Sequence, residues 1–349
     1  MKGESNMLDP NLRIVVVGAG AIGGVTGARM TKAGWNVTIV CKHEATVRKG
    51  RAEGFHIFGP GGGERIPVQA IKETADLSEA PDVVLLATKA NDAPAAAEAL
   101  VPKLKSDSLL VSLQNGICED ALARIVGTER VVGCVVVWGA TFHGPGELEV
   151  TSGGEFVVGR MDGRSDSHIE TIREMLSTTA PTRVSDNIYG ELYSKLIINA
   201  CINSLGAIAG VPLGRLLAIK RARDLFIGVM AEAMDVAQPA GISVPPGAGG
   251  KLNYNRFLAG SGALSNLRRH LMLRMIGFKY RRIRSSSLQS LERGRRTEVD
   301  FLNGYICIKG AEHGVPTPIN RAIVNMIHEI EKGRRSIALS NLSDPAFAR

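Results

Sequence analysis

The sequence predicts an α/β chain with an N-terminal doubly wound parallel sheet and a C-terminal all-helical domain. Three observations predict it. Short β-branched runs alternate with alanine-rich stretches through the first half, a glycine-rich turn directly follows the first run, and long helical stretches replace the strands after Pro181.

The elements follow in order. Residues 1–11 form a polar lead-in without the apolar core of a signal peptide, and are expected to be disordered. Ile14–Val17 reads as a buried strand and runs into Gly18-Ala19-Gly20-Ala21-Ile22-Gly23. A strand, then Gly-x-Gly-x-x-Gly, then a helix is the dinucleotide-binding fingerprint of a Rossmann-type domain. Gly18 allows the tight turn, Gly20 lets backbone approach a pyrophosphate, and Gly23 lets helix and strand pack closely. The pyrophosphate then lies at the helix N-terminus, where free N–H groups and the helix dipole favour negative charge.

The helix is expected over Ala21–Ala33, ending at Gly34. Further strands are expected at Val37–Val40, Val83–Ala87, Leu109–Leu113 and Val131–Val137, with a second helix at Ala93–Leu104. Gly59-Pro60-Gly61-Gly62-Gly63 reads as a turn between β segments, and Val135 to Gly159 as hairpin-like β structure. The long helices are expected at Ile188–Ile208, Leu213–Ala240, Leu288–His313 and Pro318–Lys332. The organisation expected is thus a nucleotide-binding domain at 12–184, a helical catalytic domain at 185–337 and a loosely ordered tail at 338–349.

Composition narrows the class. A chain of 349 residues with 44% hydrophobic residues suits about two domains with substantial cores. The five cysteines are scattered, with no Cys-x-x-Cys pair, which argues against a disulfide framework or a metal site and for a reducing, cytoplasmic compartment. Leu196 to Gly214 carries no charge, yet Asn199, Asn203, Ser204, Gly206, Gly210 and Pro212 within it point to a buried helix rather than a membrane span.

The net charge of +8 belongs to one segment. Between Asp235 and Glu292 there is no acidic residue, while nine of the 42 basic ones fall there, and the remaining 33 balance the 34 acids. No nucleic-acid-binding motif accompanies the cations.

Several residues stand where chemistry is expected. Lys42 follows the second strand, nineteen residues after Gly23, where an acid would bind a ribose 2′-hydroxyl and a cation suits a 2′-phosphate; this favours NADP. Thr88-Lys89 and Gln114-Asn115-Gly116 close two strands at carboxyl ends, where open α/β sheets bind ligands. Lys89 suits a phosphate or ribose, and Asn115 the nicotinamide or substrate; a strand-end lysine and an Asn-Gly turn are the bland alternatives. Lys195, Asn199 and Asn203 are spaced i, i+4, i+8 on one helical face amid apolar residues. Such groups are costly there unless paired or facing a wet cleft. A partly desolvated lysine releases its proton more readily, which suits protonation of the alkoxide formed when hydride reaches a carbonyl. Interhelical hydrogen bonding is the competing reading. Glu298 and Asp300 are expected in a helix, where a carboxylate would hold Lys195, while Ser285-Ser286-Ser287 would bind a carboxylate or cap a helix.

Together these motifs resemble the ketopantoate reductase (2-dehydropantoate 2-reductase) family over nearly the whole chain after the lead-in. The resemblance rests on Gly18–Gly23, Lys89, Gln114-Asn115-Gly116, Lys195 to Asn199 with Asn203, Ser286, and the run Gly294 to Gly304 containing Glu298. It implies NADPH-dependent reduction of a 2-oxo acid to a 2-hydroxy acid, 2-dehydropantoate to pantoate in pantothenate biosynthesis. Lys195 would be the general acid and Glu298 its partner. Asn199, Asn203 and Ser286 would hold the substrate, and Lys42, Lys89 and Asn115 would contact the cofactor; no metal is implied.

Three features depart from the family pattern. Leu213 stands where an asparagine is usual eighteen residues after the lysine, and Ser290 where an aspartate is usual four after the serine. A basic insertion at about 247–284 also lengthens the helical domain. The reaction type is therefore better defined than the substrate. The alternatives are a family reductase for another 2-oxo acid, or a non-catalytic NADP-binding protein that uses the basic segment to reach a membrane or partner. The insertion mixes Leu271, Met272, Leu273, Met275, Ile276 and Phe278 with cations, which suits a packed helix with solvated arginines first, then a lid or a membrane-contacting helix. A homodimer is the assembly left to test.

Overall fold

The computed structural model describes residues 11–347; all but the last residue of the expected lead-in at 1–11 lies outside them, as does the end of the tail. The chain divides into two compact units, Met1–Gln114 with Cys118–Ile188, and Asn115–Ile117 with Tyr189–Arg349. The division falls four residues beyond the expected boundary, and the three-residue loop 115–117 belongs to the second unit.

The first unit is built on an eight-stranded sheet. Its strands in chain order are β1 (Arg13–Val17), β2 (Asn36–Val40), β5 (Gln69–Ile71), β6 (Val83–Leu86), β7 (Leu109–Ser112), β8 (Val131–Val136), β11 (Phe156–Arg160) and β12 (Thr182–Val184). Their order across the sheet is β12-β11-β8-β7-β6-β1-β2-β5. All neighbours are parallel except β8 and β11. Chain progression reverses direction beside β1, which makes the gap between the carboxyl ends of β1 and β6 the topological switch point. β1, β6 and β7 are almost wholly buried, which is why they read as continuous apolar runs rather than alternating ones.

Helices α1 (Ala21–Lys32), α2 (Glu44–Glu53), α3 (Ala93–Leu100), α4 (Glu119–Val126) and α5 (Ser167–Ser177) complete this unit. The hairpin-like region is shared between two sheets: its ends lie in β8 and β11 of the main sheet. Strands β9 (Gly139–Gly144) and β10 (Glu147–Ser152) join β3 (Phe55–Gly59) and β4 (Gly62–Ile66) in a separate four-stranded sheet, ordered β4-β3-β10-β9. The helix expected at Ala93–Leu104 stops at Leu100 and passes into a 3-10 turn at Val101–Lys103. Pro102 supplies no N–H and crowds the residue before it, which ends the α-helix there.

The second unit is helical: α6 (Ile188–Ala209), α7 (Leu213–Ala218), α8 (Lys220–Ala237), the four-residue α9 (Gly247–Gly250), α10 (Tyr254–Leu258), α11 (Ala263–Lys279), α12 (Ser286–Glu292), α13 (Asn303–Glu312) and α14 (Pro318–Glu331). α6 is long and apolar enough to cross a bilayer, but 78% of its apolar window is buried in the protein, as a core helix is.

Three expectations about this unit are corrected. The helix expected at Leu213–Ala240 breaks at Ile219, because Arg223 Nη1 donates to the carbonyls of Leu217 and Ala218 at 2.8 Å each and takes acceptors a continuous helix would use. The helix expected at Leu288–His313 is two helices. α12 gives way at Gly294, in the left-handed region at φ +64°, and Glu298 and Asp300 fall at a 3-10 turn, Val299–Phe301, ahead of α13. The tail is ordered as far as it is described: turns at Leu339–Ser343 and Pro345–Phe347 bury Leu342 and Phe347, and Arg221 donates to the carbonyls of both.

Candidate functional site

In the first unit the glycine turn has the geometry its residue types imply. Gly18 sits at φ +109°, and a Cβ on it would lie 2.9 Å from the Ala87 carbonyl and the Thr88 nitrogen. A Cβ on Gly23 would come within 2.1 Å of the Gly18 oxygen and 2.6 Å of Ala87 Cβ, so α1 approaches β6 only because residue 23 is glycine. At Gly20 a Cβ would meet nothing within 4 Å, which leaves the open approach a pyrophosphate needs. Ala19, Ala21 and Ile22 are half-buried around that opening. Gly20 caps α1, whose first turn carries no acidic side chain to compete with a bound anion.

Neighbouring strand ends add polar groups. Thr88 Oγ1, just beyond β6, is buried without a hydrogen-bond partner among the described residues, as a group awaiting a polar ligand would be. Lys89 follows it, exposed. Lys42, just beyond β2, has a side chain 77% exposed and its Nζ 3.5 Å from Asp92 Oδ2. These residues fit a nicotinamide dinucleotide: a phosphate cradle at a switch point, with cations at the adjoining strand ends.

Glu119, not singled out from the sequence, lies buried at the start of α4. Burial pushes its carboxyl up to about 7, against backbone hydrogen bonds from its own N–H and that of Cys118 that favour the charged form. Ser112 Oγ donates to Gln114 Oε1 at 2.7 Å, and Gln114 Nε2 donates to the Leu86 carbonyl at 2.8 Å, fixing the end of β7. A folded-state pKa above that of the unfolded chain contributes stability at low pH that is lost as pH rises from 4.5 through about 7. Glu119→Gln is expected to flatten unfolding stability across that window, relieving about 3 kcal/mol above it; chemical denaturation at stepped pH measures it.

In the second unit the site is one face of α6. Between Glu191 and Ala209 the residues that stay partly exposed are Glu191, Lys195, Ile198, Asn199 and Ile202, and the rest are buried. Those positions recur every three or four residues and so form a single stripe. Asn203, buried, borders it. Lys195 Nζ donates to Asn115 Oδ1 at 3.0 Å across 80 residues of sequence. Asn115 is held in turn by its neighbour: Gly116, at φ +86°, lies so close to Phe301 that a Cβ would be 2.3 Å from its carbonyl oxygen. Phe301 ends the 3-10 turn that the buried Glu298 caps, and its N–H donates to the Glu298 carbonyl at 3.1 Å. Glu298 thus stands at the base of the same small cluster, although in a turn and not in the expected helix.

Ser285, the neighbour of Ser286, packs against α6 at a glycine. Gly206 lies on the stripe's side of α6, and a Cβ there would be 2.9 Å from both Cβ and Oγ of Ser285. Ser285 caps α12 by accepting the Leu288 N–H at 3.1 Å, which sets half-buried Ser286 as the first residue of that helix. The second unit therefore holds Lys195, Asn115, Asn199, Asn203, Ser286 and Glu298, while the glycine turn, Lys42 and Lys89 stand in the first. Asn115, expected against cofactor or substrate, accepts from Lys195.

Behind the stripe is a buried polar network that sequence reading missed. Ser204 Oγ donates to Asn303 Oδ1, Asn303 Nδ2 to the Ala200 carbonyl at 3.3 Å and to Asn320 Oδ1 at 2.9 Å. Glu232 accepts the N–H groups of Ile319 and Asn320 at 2.8 and 2.9 Å and Asn320 Nδ2 at 2.7 Å. Glu232 thus anchors the first turn of α14 and, through two asparagines, fixes α6.

A phosphate cradle at a switch point, together with a lysine and amides on an open helical face, defines a nicotinamide-dependent oxidoreductase. The ketopantoate reductase PanE/ApbA family model matches residues 14–163, and the ketopantoate reductase PanE/ApbA C-terminal model matches residues 187–331. The chain belongs to the ketopantoate reductase PanE/ApbA family, and it is an NADP-dependent oxidoreductase of that type. It is 28% identical to the 2-dehydropantoate 2-reductase of Archaeoglobus fulgidus over 92% of this chain and 98% of that protein. It is 26% identical to the 2-dehydropantoate 2-reductase of Mesorhizobium japonicum, over 92% and 99%. A PanE/ApbA family ketopantoate reductase from Ralstonia eutropha JMP134 superposes with a TM-score of 0.79 at 29% identity, covering 93% of this chain and all of that one. A D-mandelate dehydrogenase shares the fold, with a TM-score of 0.76 at 22% identity over 93% and 99%.

Proposed function

We propose that this chain reduces 2-dehydropantoate to pantoate with NADPH, with Lys195 as the proton donor. The observation that carries the reading is the stripe on α6, where Lys195 is held at 3.0 Å by Asn115 on the open face of an otherwise buried helix. When bound, NADPH supplies the hydride. The lysine ammonium donates a proton to the oxygen of the carbonyl as charge develops there, and stabilises that charge beforehand. Asn115 keeps Nζ aimed, since an amide oxygen accepts from the ammonium without neutralising it. Glu298 acts through this cluster as a positioning residue. Asn199 and Asn203 offer donors and acceptors to the substrate's carboxylate and hydroxyl, and Ser286 adds a hydroxyl at the far end of the stripe.

Family membership and the full-length relatives support the reaction type. Steady-state NADPH oxidation with 2-dehydropantoate beside a panel of 2-oxo acids tests it. Turnover on 2-dehydropantoate at low KM is expected. Tight NADPH binding with no turnover on any acid would overturn the catalytic reading in favour of a non-catalytic binding protein. One observation favours a second reading, the same chemistry on another 2-oxo acid. Leu213 is buried and its N–H donates to the Ile283 carbonyl at 2.9 Å, so an apolar side chain tied to the insertion stands where the family pattern has an amide. Turnover confined to a more apolar acid would establish that reading.

NADP preference rests on Lys42, exposed at the end of β2 with only a 3.5 Å approach to Asp92 to release. Lys42→Ala is expected to raise KM for NADPH about tenfold through loss of a charge-assisted phosphate contact, with KM for NADH unchanged. Equal effects on both cofactors would remove Lys42 from the 2′-phosphate.

A further inference from the structure

We propose that α11 and the loop after it form a docking surface for an anionic lipid bilayer. The surface lies on elements other than the catalytic helix α6. Along α11, Leu264, Leu267, Leu271, Met275 and Phe278 are 82%, 64%, 57%, 59% and 74% exposed. Their spacings of three and four residues align them in one ridge along the helix. Tyr280 and Ile283 continue the exposed apolar surface into the loop. A ridge of this length left to water is uncommon in a folded chain and marks a surface that meets something apolar.

The ridge cannot turn inward, because the opposite side of α11 is locked. A Cβ on Gly277 would be 2.7 Å from Leu217 Cβ, so α11 lies hard against α7 there. Leu273 is buried, and buried His270 accepts from Arg223 Nε through Nδ1 at 3.0 Å. The outward face is thus fixed by three inward contacts.

Charge identifies the partner. At 100° per residue, Arg274 lies on one flank of the ridge and Arg268 and Lys279 on the other. Arg281, 5.6 Å from the Phe278 ring centroid, and Arg282 extend the cations into the loop. No acidic residue occurs between Asp235 and Glu292. A second copy meeting this face would bring arginine rows together with no carboxylate from the segment to separate them. An anionic bilayer complements both features: the ridge enters the acyl boundary while Arg274, Lys279 and Arg282 reach the headgroups, and Arg268, held by the carbonyls of Arg256, Phe257 and Ala259, adds its charge to the flank.

Co-sedimentation of the full chain with vesicles tests the proposal. Replacing about a third of phosphatidylcholine by phosphatidylglycerol is expected to raise the bound fraction about tenfold, and added salt to reverse it. The double variant Leu271→Ser with Phe278→Ser, and separately Arg274→Gln with Arg282→Gln, should each lose this binding while keeping NADPH oxidation and melting temperature in lipid-free solution. Equal binding to both vesicle types, or none at low salt, would overturn it. So would a concentration-dependent dimer that Leu271→Ser abolishes without any vesicle binding, which would assign the face to a second copy.

Discussion

Lys195→Ala is expected to lower kcat by about two to four orders of magnitude, the usual worth of a positioned general acid, while NADPH binding measured by fluorescence stays within about twofold. The split follows from where the side chain stands. Lys195 is in the helical unit, on the open stripe of α6 and hydrogen-bonded to Asn115, while the phosphate cradle is in the other unit. Its removal takes a proton and a positive charge from the developing alkoxide without touching the glycine turn. Lys195→Arg keeps the charge but holds its proton far more tightly, so it should restore substrate binding more than turnover. Asn115→Ala should reduce kcat less than Lys195→Ala, because it loosens the ammonium without removing it. A kcat for Lys195→Ala within about fivefold of the parent would exclude the lysine as general acid.

How much of this was legible in the sequence depends on the range of the interaction. The glycine turn was readable because its chemistry is local: Gly18, Gly20 and Gly23 act within one strand-turn-helix unit, and their spacing alone describes it. The α6 stripe was readable because helical periodicity places Lys195, Asn199 and Asn203 together whatever surrounds them. The Asn115–Lys195 bond was not, since periodicity says nothing about residues 80 apart. Helix ends failed for the same reason. Arg223 interrupts a helical pattern by capturing the carbonyls of Leu217 and Ala218, a choice no propensity encodes. Pro102 and Gly294 are local signals that were there to be read, and they explain the other two breaks. The approach of Ser285, the residue before Ser286, to α6 at Gly206 was not legible either, since it is a fit visible only in three dimensions.

Glu232→Ala is expected to cost about 3–5 kcal/mol of stability, lowering the melting temperature by about 10 °C. The carboxylate is buried and accepts three hydrogen bonds of 2.7–2.9 Å from the start of α14. Truncation leaves all three donors without their acceptor in a site closed to water, and each such group carries its own desolvation cost. Glu232→Gln should be intermediate, because its NH2 group must face a donor whichever way it is turned. The damage then has a direction. Asn320, freed from Glu232, no longer fixes Asn303, and Asn303 is what pins α6 at Ala200 and Ser204, on either side of Asn203. Where the variant remains folded, KM for the 2-oxo acid should therefore rise more than kcat falls, since Asn199 and Asn203 lose register while Lys195, one turn before Asn199, keeps its bond to Asn115. A melting temperature within about 2 °C of the parent would show that water, not Glu232, satisfies the start of α14. An unchanged KM in a destabilised variant would confine the network to folding and separate it from substrate binding.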